Sequence, residues 1–260
     1  MSFENLLIDR DDAVAVVTIN RPKVLNALNT QTMNELRRAM EELQQDPSIR
    51  AIVLTGSGDK SFVAGADINE LAVLSPVDGK EHARRGQAVL DFIEQLGKPV
   101  VAAINGFALG GGCELAMACS MRIAADTARL GQPEINLGII PGYAGSQRLP
   151  RLVGKGIALE ILLTGDMISA SRAYEIGLVN RVVPAADLMA EAKKLAAALA
   201  SKAPIAARSI IQSVNHGFEM AQADAQFLET SLFGLVASTD DMREGTRAFL
   251  EKRKADWKGK

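Results

Sequence analysis

Histidine is nearly missing from this 260-residue chain, which holds two, His82 and His216. Neither stands beside a Gly-x-Ser-x-Gly turn, so a Ser-His-Asp nucleophile is not supported, and both read as isolated surface side chains. Cysteine is equally scarce, and no His-Glu-x-x-His stretch occurs, so no cluster of the kind that holds a catalytic metal is visible. Cys113 and Cys119 are spaced to fall on different faces of a helix and read as reduced core residues, as in a cytosol-like compartment. Aromatics make up 4% of the chain, and 29 basic against 31 acidic residues leave a net charge of −2. A nucleic-acid binder wants stacking surfaces and a positive field, and neither is present. The basic stretches Arg37-Arg38, Arg84-Arg85 and the tail 251–260 are interspersed with acids and read as solvated helical faces. No apolar run reaches the ~18 residues of a membrane span, and the opening MSFENLLIDRDD has no basic region ahead of an apolar one. The expectation is a soluble, cytoplasmic protein that binds neither nucleic acid nor membrane.

What the chain does have is apolar bulk, 48% of its residues, enough for a sizeable core. Ala13–Asn20 is a β-branched, almost unbroken apolar run, the signature of a strand covered on both faces. Thr32 and Glu35 then form a capping-box pattern ahead of Met33, Leu36, Met40 and Leu43, spaced as one helical stripe. Further strands are expected at Ala51–Thr55, Val100–Ile104 and Arg122–Ala125, with helices at about Glu81–Leu96 and Cys113–Ala118. This alternation predicts an α/β fold with largely parallel strands. Beyond Gly154 the pattern turns helical. Leu188, Ala192, Leu195 and Leu199 form a stripe that Pro204 should end, and a closing helix should run from Asp240–Asp241 to Glu251–Lys254. No linker and no repeat of fixed period is evident, so the chain divides best into a core, residues 1–195, and a helical C-terminal part, 196–260.

Gly110-Gly111-Gly112 stands where a strand loop enters a helix, a place where free amides carry partial positive charge and can bind an oxyanion. A tight turn with close helix packing explains the same residues. Neither a dinucleotide Gly-x-Gly-x-x-Gly fingerprint nor a P-loop Lys-Ser/Thr is there. The loop SFVAGADI, 61–68, is a second source of exposed amides, and two amides from separate loops aimed at one carbonyl oxygen would stabilise an enolate. Glu114 follows the glycines among apolar neighbours, and Glu134 lies in GQPEINLGIIPG. Either can be a helix-terminal or loop-capping residue. If they meet, burial and backbone donors can divide acid and base roles between them.

Together NRPKVLNALN (20–29), SFVAGADI (61–68), NGFALGGGCELAMAC (105–119), GQPEINLGIIPG (131–142) and TDDMREGTRAFLEKRK (239–254) resemble the crotonase, or enoyl-CoA hydratase, family along essentially the whole chain. The resemblance implies the crotonase (ClpP-like) spiral of ββα units, with a C-terminal helical region that forms trimers or dimers of trimers. It implies a hydro-lyase that adds water to short-chain trans-2-enoyl-CoA, as in fatty-acid β-oxidation, with CoA as part of the substrate and no separate cofactor or metal. Matched to the family, Glu114 and Glu134 are the catalytic carboxylates, and the amides of Ala66 and Gly111 form the oxyanion hole. Lys23, Val24, Leu25, Ala64, Ala66, Asp67, Ile68, Asn69, Gly111 and Gly142 are the implied substrate and CoA contacts. Asn69 stands where some relatives carry lysine, and Tyr143-Ala144 where many read Ala-Gly or Phe-Gly, which narrows the expected acyl pocket. A Δ3-Δ2-enoyl-CoA isomerase shares fold and oxyanion hole but needs one base, so two glutamates favour hydration. RNA binding, known for one hydratase homologue, is the non-enzymatic alternative.

Overall fold

The computed structural model describes residues 3–260. β1 (Leu6–Asp11) and β2 (Val14–Ile19) form an antiparallel hairpin, followed by a 3-10 turn at Pro22–Val24 and α1 (Thr30–Gln45). From there the chain repeats one unit three times: a long strand, a three-residue strand, then helix. The first comprises β3 (Ala51–Gly56), β4 (Ser61–Val63), α2 (Ile68–Leu71) and α3 (Pro76–Glu94). The second comprises β5 (Val100–Ile104), β6 (Phe107–Leu109) and α4 (Gly111–Ala118). The third comprises β7 (Met121–Ala125), β8 (Arg129–Gly131), a 3-10 turn at Pro133–Leu137, α5 (Gly145–Val153) and α6 (Lys155–Thr164). The rest is β9 (Ile168–Ser169), α7 (Ala170–Glu175), β10 (Arg181–Val183), α8 (Leu188–Ala200), α9 (Pro204–Gly217), α10 (Gln222–Ala237) and α11 (Asp240–Leu250).

The long strands build a sheet in the order β1-β2-β3-β5-β7-β10, parallel except for the first pair. Its central strands β3 and β5 are buried at every residue, which is why they read as unbroken apolar runs. The short strands build a second sheet, β4-β6-β8-β9, with β4, β6 and β8 parallel. This is the α/β spiral of ββα units. A unit that repeats in structure without repeating in sequence explains why no fixed period was found. The strand–helix alternation caught β2, β3, β5 and β7. It missed β1, which is mostly exposed and whose burial alternates little, and it missed β10 and the whole second sheet, because two or three residues cannot display a period of two.

Several local expectations are corrected. α1 is capped by Asn29, whose Oδ1 accepts from Thr32 N at 2.8 Å, and not by Thr32. Glu35 instead accepts from Glu4 N and Asn5 N, at 3.1 and 2.8 Å, and fastens the start of the chain to the helix. α3 begins at Pro76 behind the cap Ser75, earlier than its apolar stripe indicated. α8 already ends at Ala200, and Pro204 opens α9 at the first helical position, where its missing N–H costs nothing. α8 buries Leu188, Ala192, Ala196 and Ala200 against the first sheet, a seam of small side chains that lets helix and strands approach closely. The division set at residue 195 falls inside this helix. Leu195 and Leu199 lie partly buried at the side.

Candidate active site

Because β4, β6 and β8 run parallel and side by side, their C-terminal ends open on one edge of the second sheet. Residues 64–67 follow β4, Gly110 and α4 follow β6, and Gln132–Glu134 follow β8. Three stretches far apart in sequence therefore deliver their backbones to one place. A methyl added to Gly111 would stand 3.5 Å from Ala66 N, so the two predicted amides are neighbours. Gly111 N–H is a first-turn amide of α4 with no partner inside the helix, and Ala66 N–H meets no acceptor among the described residues. Gly110 makes the corner at φ +50°, a conformation costly for any side chain, and its amide donates to Gly131 O at 2.9 Å.

Both predicted carboxylates face this corner. A methyl on Gly110 would lie 2.6 Å from Glu134 Oε1, so Glu134 packs directly against the glycine turn. Glu114, 1% exposed, extends from α4, and its Oε1 accepts from Tyr143 N at 2.8 Å and Gly145 N at 2.6 Å. Burial, reinforced by the Glu134 carboxylate, pushes the Glu114 carboxyl up to about 8 against the two amides that favour its ionised form. Burial raises Glu134 to about 7. Two carboxyls in mutual electrostatic reach titrate as a pair, so near neutrality they hold about one proton between them. Gln132, buried beside them, donates to both Glu134 oxygens at 3.2 Å when its amide nitrogen faces the carboxylate. Burial pushes the Cys113 thiol up to about 12, so it is a neutral core group. Cys119 is likewise buried and free.

The stretches 20–29 and 64–69 are laced together. Ala64 N donates to Leu25 O, Leu28 N to Gly65 O and Asp67 N to Leu28 O, at 3.1, 2.8 and 2.8 Å. Arg21 pairs with Asp67 at 3.1 Å and also donates to Ala27 O. Asn26, fully buried at φ +60°, donates to Ser57 O and Ser61 O and accepts from Arg21 N. Lys23, Val24, Leu25, Ile68 and Asn69 are left exposed along one rim of the corner, with Ala64, Ala66 and Asp67 half-buried behind them. Asp67 caps α2, its Oδ1 accepting from Asn69 N and Asn69 Nδ2, each at 3.2 Å. Gly142, in the loop ahead of α5, packs against α3, its carbonyl accepting from Gln87 Nε2 at 3.0 Å.

His82 is not the isolated surface residue expected. It is half-buried, and its Nε2 lies 2.7 Å from Tyr143 Oη. The reading of residue types also missed Tyr143 N and Gly145 N as donors, since every residue but proline carries an amide. The one available signal was Ala144, set where relatives favour glycine, and its φ is +74°. Arg148 was missed too: it pairs with Asp91 and Glu94 at 2.5 and 2.9 Å and donates to Tyr143 O at 3.0 Å, steadying the turn. A cavity of about 330 Å³ between the ends of α1 and α3 and helix α9 lies away from both carboxylates. The basic stretches are internally paired, Arg37 with Glu41, Arg84 and Arg85 with Glu81, and Arg253 with Glu244 and Glu251. Among the described residues no helix is long and apolar enough to cross a membrane.

Residues 9–260 match the family model described as enoyl-CoA hydratase/isomerase. The chain is 49% identical to a crotonyl-CoA hydratase of Syntrophomonas wolfei subsp. wolfei, over 99% of both chains. It is 46% identical to a short-chain-enoyl-CoA hydratase of Clostridium acetobutylicum, over 98% of both. The crystal structure of an enoyl-CoA hydratase from Bacillus anthracis superposes with a TM-score of 0.95 at 39% identity, covering 99% of this chain and 100% of that one. A likeness so complete in sequence and in fold has one reading: the chain belongs to the enoyl-CoA hydratase/isomerase family.

Proposed function

We propose that this protein adds water reversibly, with syn geometry, to short-chain trans-2-enoyl-CoA thioesters, giving 3-hydroxyacyl-CoA. The observation that carries the reading is the meeting of two unengaged amides with two buried carboxyls at one strand edge. In this account the thioester oxygen accepts from Ala66 N–H and Gly111 N–H, which draws electron density from the β-carbon. Water attacks that carbon as Glu114 takes its proton. The double-bond electrons move towards the thioester oxygen, and Glu134 delivers a proton to the α-carbon. The proton gained by Glu114 balances the one lost by Glu134, so returning it restores the pair. Hydration uses both carboxyls in one turnover, whereas an isomerase moves one proton with one base. That difference favours hydration over Δ3-Δ2 isomerisation.

The rim formed by Lys23, Val24, Leu25, Ile68 and Asn69, with Ala64, Asp67 and Gly142, is proposed to receive the CoA moiety. CoA enters as part of the substrate, and no further cofactor is needed for this chemistry. The exposed apolar side chains of α9 and α10 support association of identical chains as trimers or dimers of trimers, and a cytoplasmic enzyme is proposed. Loss of the enoyl-thioester absorbance of crotonyl-CoA tests the activity. Glu114→Gln and Glu134→Gln are each expected to lower kcat at least ~10²-fold. Wild-type turnover in both variants would remove the assigned roles.

A further inference from the structure

Tyr143 has its backbone in the site and its ring wedged between the site and α3. One ring edge, Cδ2 and Cε2, lies 3.4 Å from where a methyl on Gly111 would stand. The opposite edge, Cδ1 and Cε1, is pressed to 2.1 Å from where a methyl on Gly86 of α3 would be, so the ring fits only because that residue is glycine. The hydroxyl meets His82 Nε2 at 2.7 Å, the two ring centroids stand 5.4 Å apart, and Gln87 holds the preceding carbonyl. The side chain is 3% exposed. On its far side lies a cavity of about 460 Å³ between α1 and α3, bounded by Met33, Leu74, His82, Gly86, Val89 and Tyr143. Arg84 and Arg85 at its mouth are held by Glu81.

We propose that Tyr143, braced by His82 and seated on Gly86, is the wall between the thioester site and the α1–α3 cavity, and that it restricts the enzyme to short acyl groups. The inference rests on the hydratase reading and adds the residue that sets its substrate range. An acyl chain leaving the Gly111 amide towards α3 meets an aromatic ring locked on both edges and at its hydroxyl. Rotation of the ring would break the His82 bond and drive it into Gly86, so the wall stays closed. Removal of the ring joins two spaces that already exist; Met33, Leu74 and Val89 give the second one an apolar side that suits alkyl carbon, while polar residues, Asn34, Arg37 and Asp78 among them, line the rest.

The test compares kcat/KM for trans-2-enoyl-CoA substrates of four to ten acyl carbons in the wild type, Tyr143→Phe, Tyr143→Leu and Tyr143→Ala. The wild type is expected to lose ~10-fold or more between crotonyl-CoA and the ten-carbon substrate, the discrimination a shaped apolar pocket provides. Tyr143→Phe, which keeps the ring, should retain that ratio. Tyr143→Ala should raise the ten-carbon to four-carbon ratio ~10-fold or more, with Tyr143→Leu in the same direction should the alanine variant fold poorly. Equal use of both lengths by the wild type overturns the wall, as does an unchanged ratio in the truncated variants. Failure to hydrate at any length strikes the functional reading. Hydration of crotonyl-CoA with no shift in ratio strikes the wall alone.

Discussion

Glu114 is buried at a cost that folding must offset, and the cost has a sign that can be measured. Its carboxyl is raised from an ordinary value of 4.5 to about 8, so the native state holds a proton that the unfolded chain releases. Stability from this group is therefore complete below about pH 4.5 and is lost as pH rises towards about 8. In Glu114→Gln the amide oxygen still accepts from Tyr143 N and Gly145 N while the charge is gone. The variant's thermal midpoint relative to wild type should climb between those pH values and then level off. A difference that does not change with pH would contradict the burial of an ionisable pair. In the proposed mechanism the pair works with one shared proton, so kcat/KM should peak between about pH 7 and about pH 8 and fall on either side. Below this window neither carboxyl can act as base, and above it neither can act as acid. The two glutamates were legible in the sequence as oddities in apolar surroundings. The amides of Tyr143 and Gly145 were not, because a backbone donor has no residue type, and the His82–Tyr143 bond exists only once α3 and the 141–148 loop pack.

α4 is the element on which the site turns. All eight of its residues are buried, its N-terminus supplies Gly111 N–H, and its first turn supplies Glu114. Its start is driven against β4: a methyl on Gly112 would lie 2.0 Å from Val63 O. Backbone cannot yield as a flexible side chain does, so Gly112→Ala should destabilise the protein by about 3 kcal/mol and reduce turnover together. Denaturant unfolding and crotonyl-CoA kinetics check it, and a variant as stable as wild type would show that β4 and α4 tolerate separation. The quoted glycine run made this close approach readable in advance, whereas β4, β6 and β8 were hidden by their length. The strain in the facing turn, with Ala144 held at φ +74°, belongs to the same design: it aims two amides at one carboxylate.

At the scale of the molecule, the long-strand sheet carries the core and the short-strand sheet carries the candidate site. The C-terminal helices carry something else. α10 buries none of its residues, and Phe218, just past the end of α9, with Phe227 and Phe233 of α10 are largely exposed, the apolar surface on which the proposed association of identical chains rests. Phe227→Asp with Phe233→Asp should shift the mass measured by light scattering towards the single chain, whereas an unchanged mass would contradict the proposed association through this face. The helical character of this region was legible from its stripes; the exposure of its apolar side chains was not, since an apolar face looks like any other until the fold leaves it uncovered. The central claim is that Ala66 and Gly111, brought together by parallel strands, polarise one thioester oxygen. The carbonyl stretch of crotonyl-CoA bound to the slow Glu114→Gln/Glu134→Gln double variant reads that polarisation directly. The account predicts a frequency clearly below that of the thioester in water; a bound carbonyl at or above the aqueous frequency would contradict it.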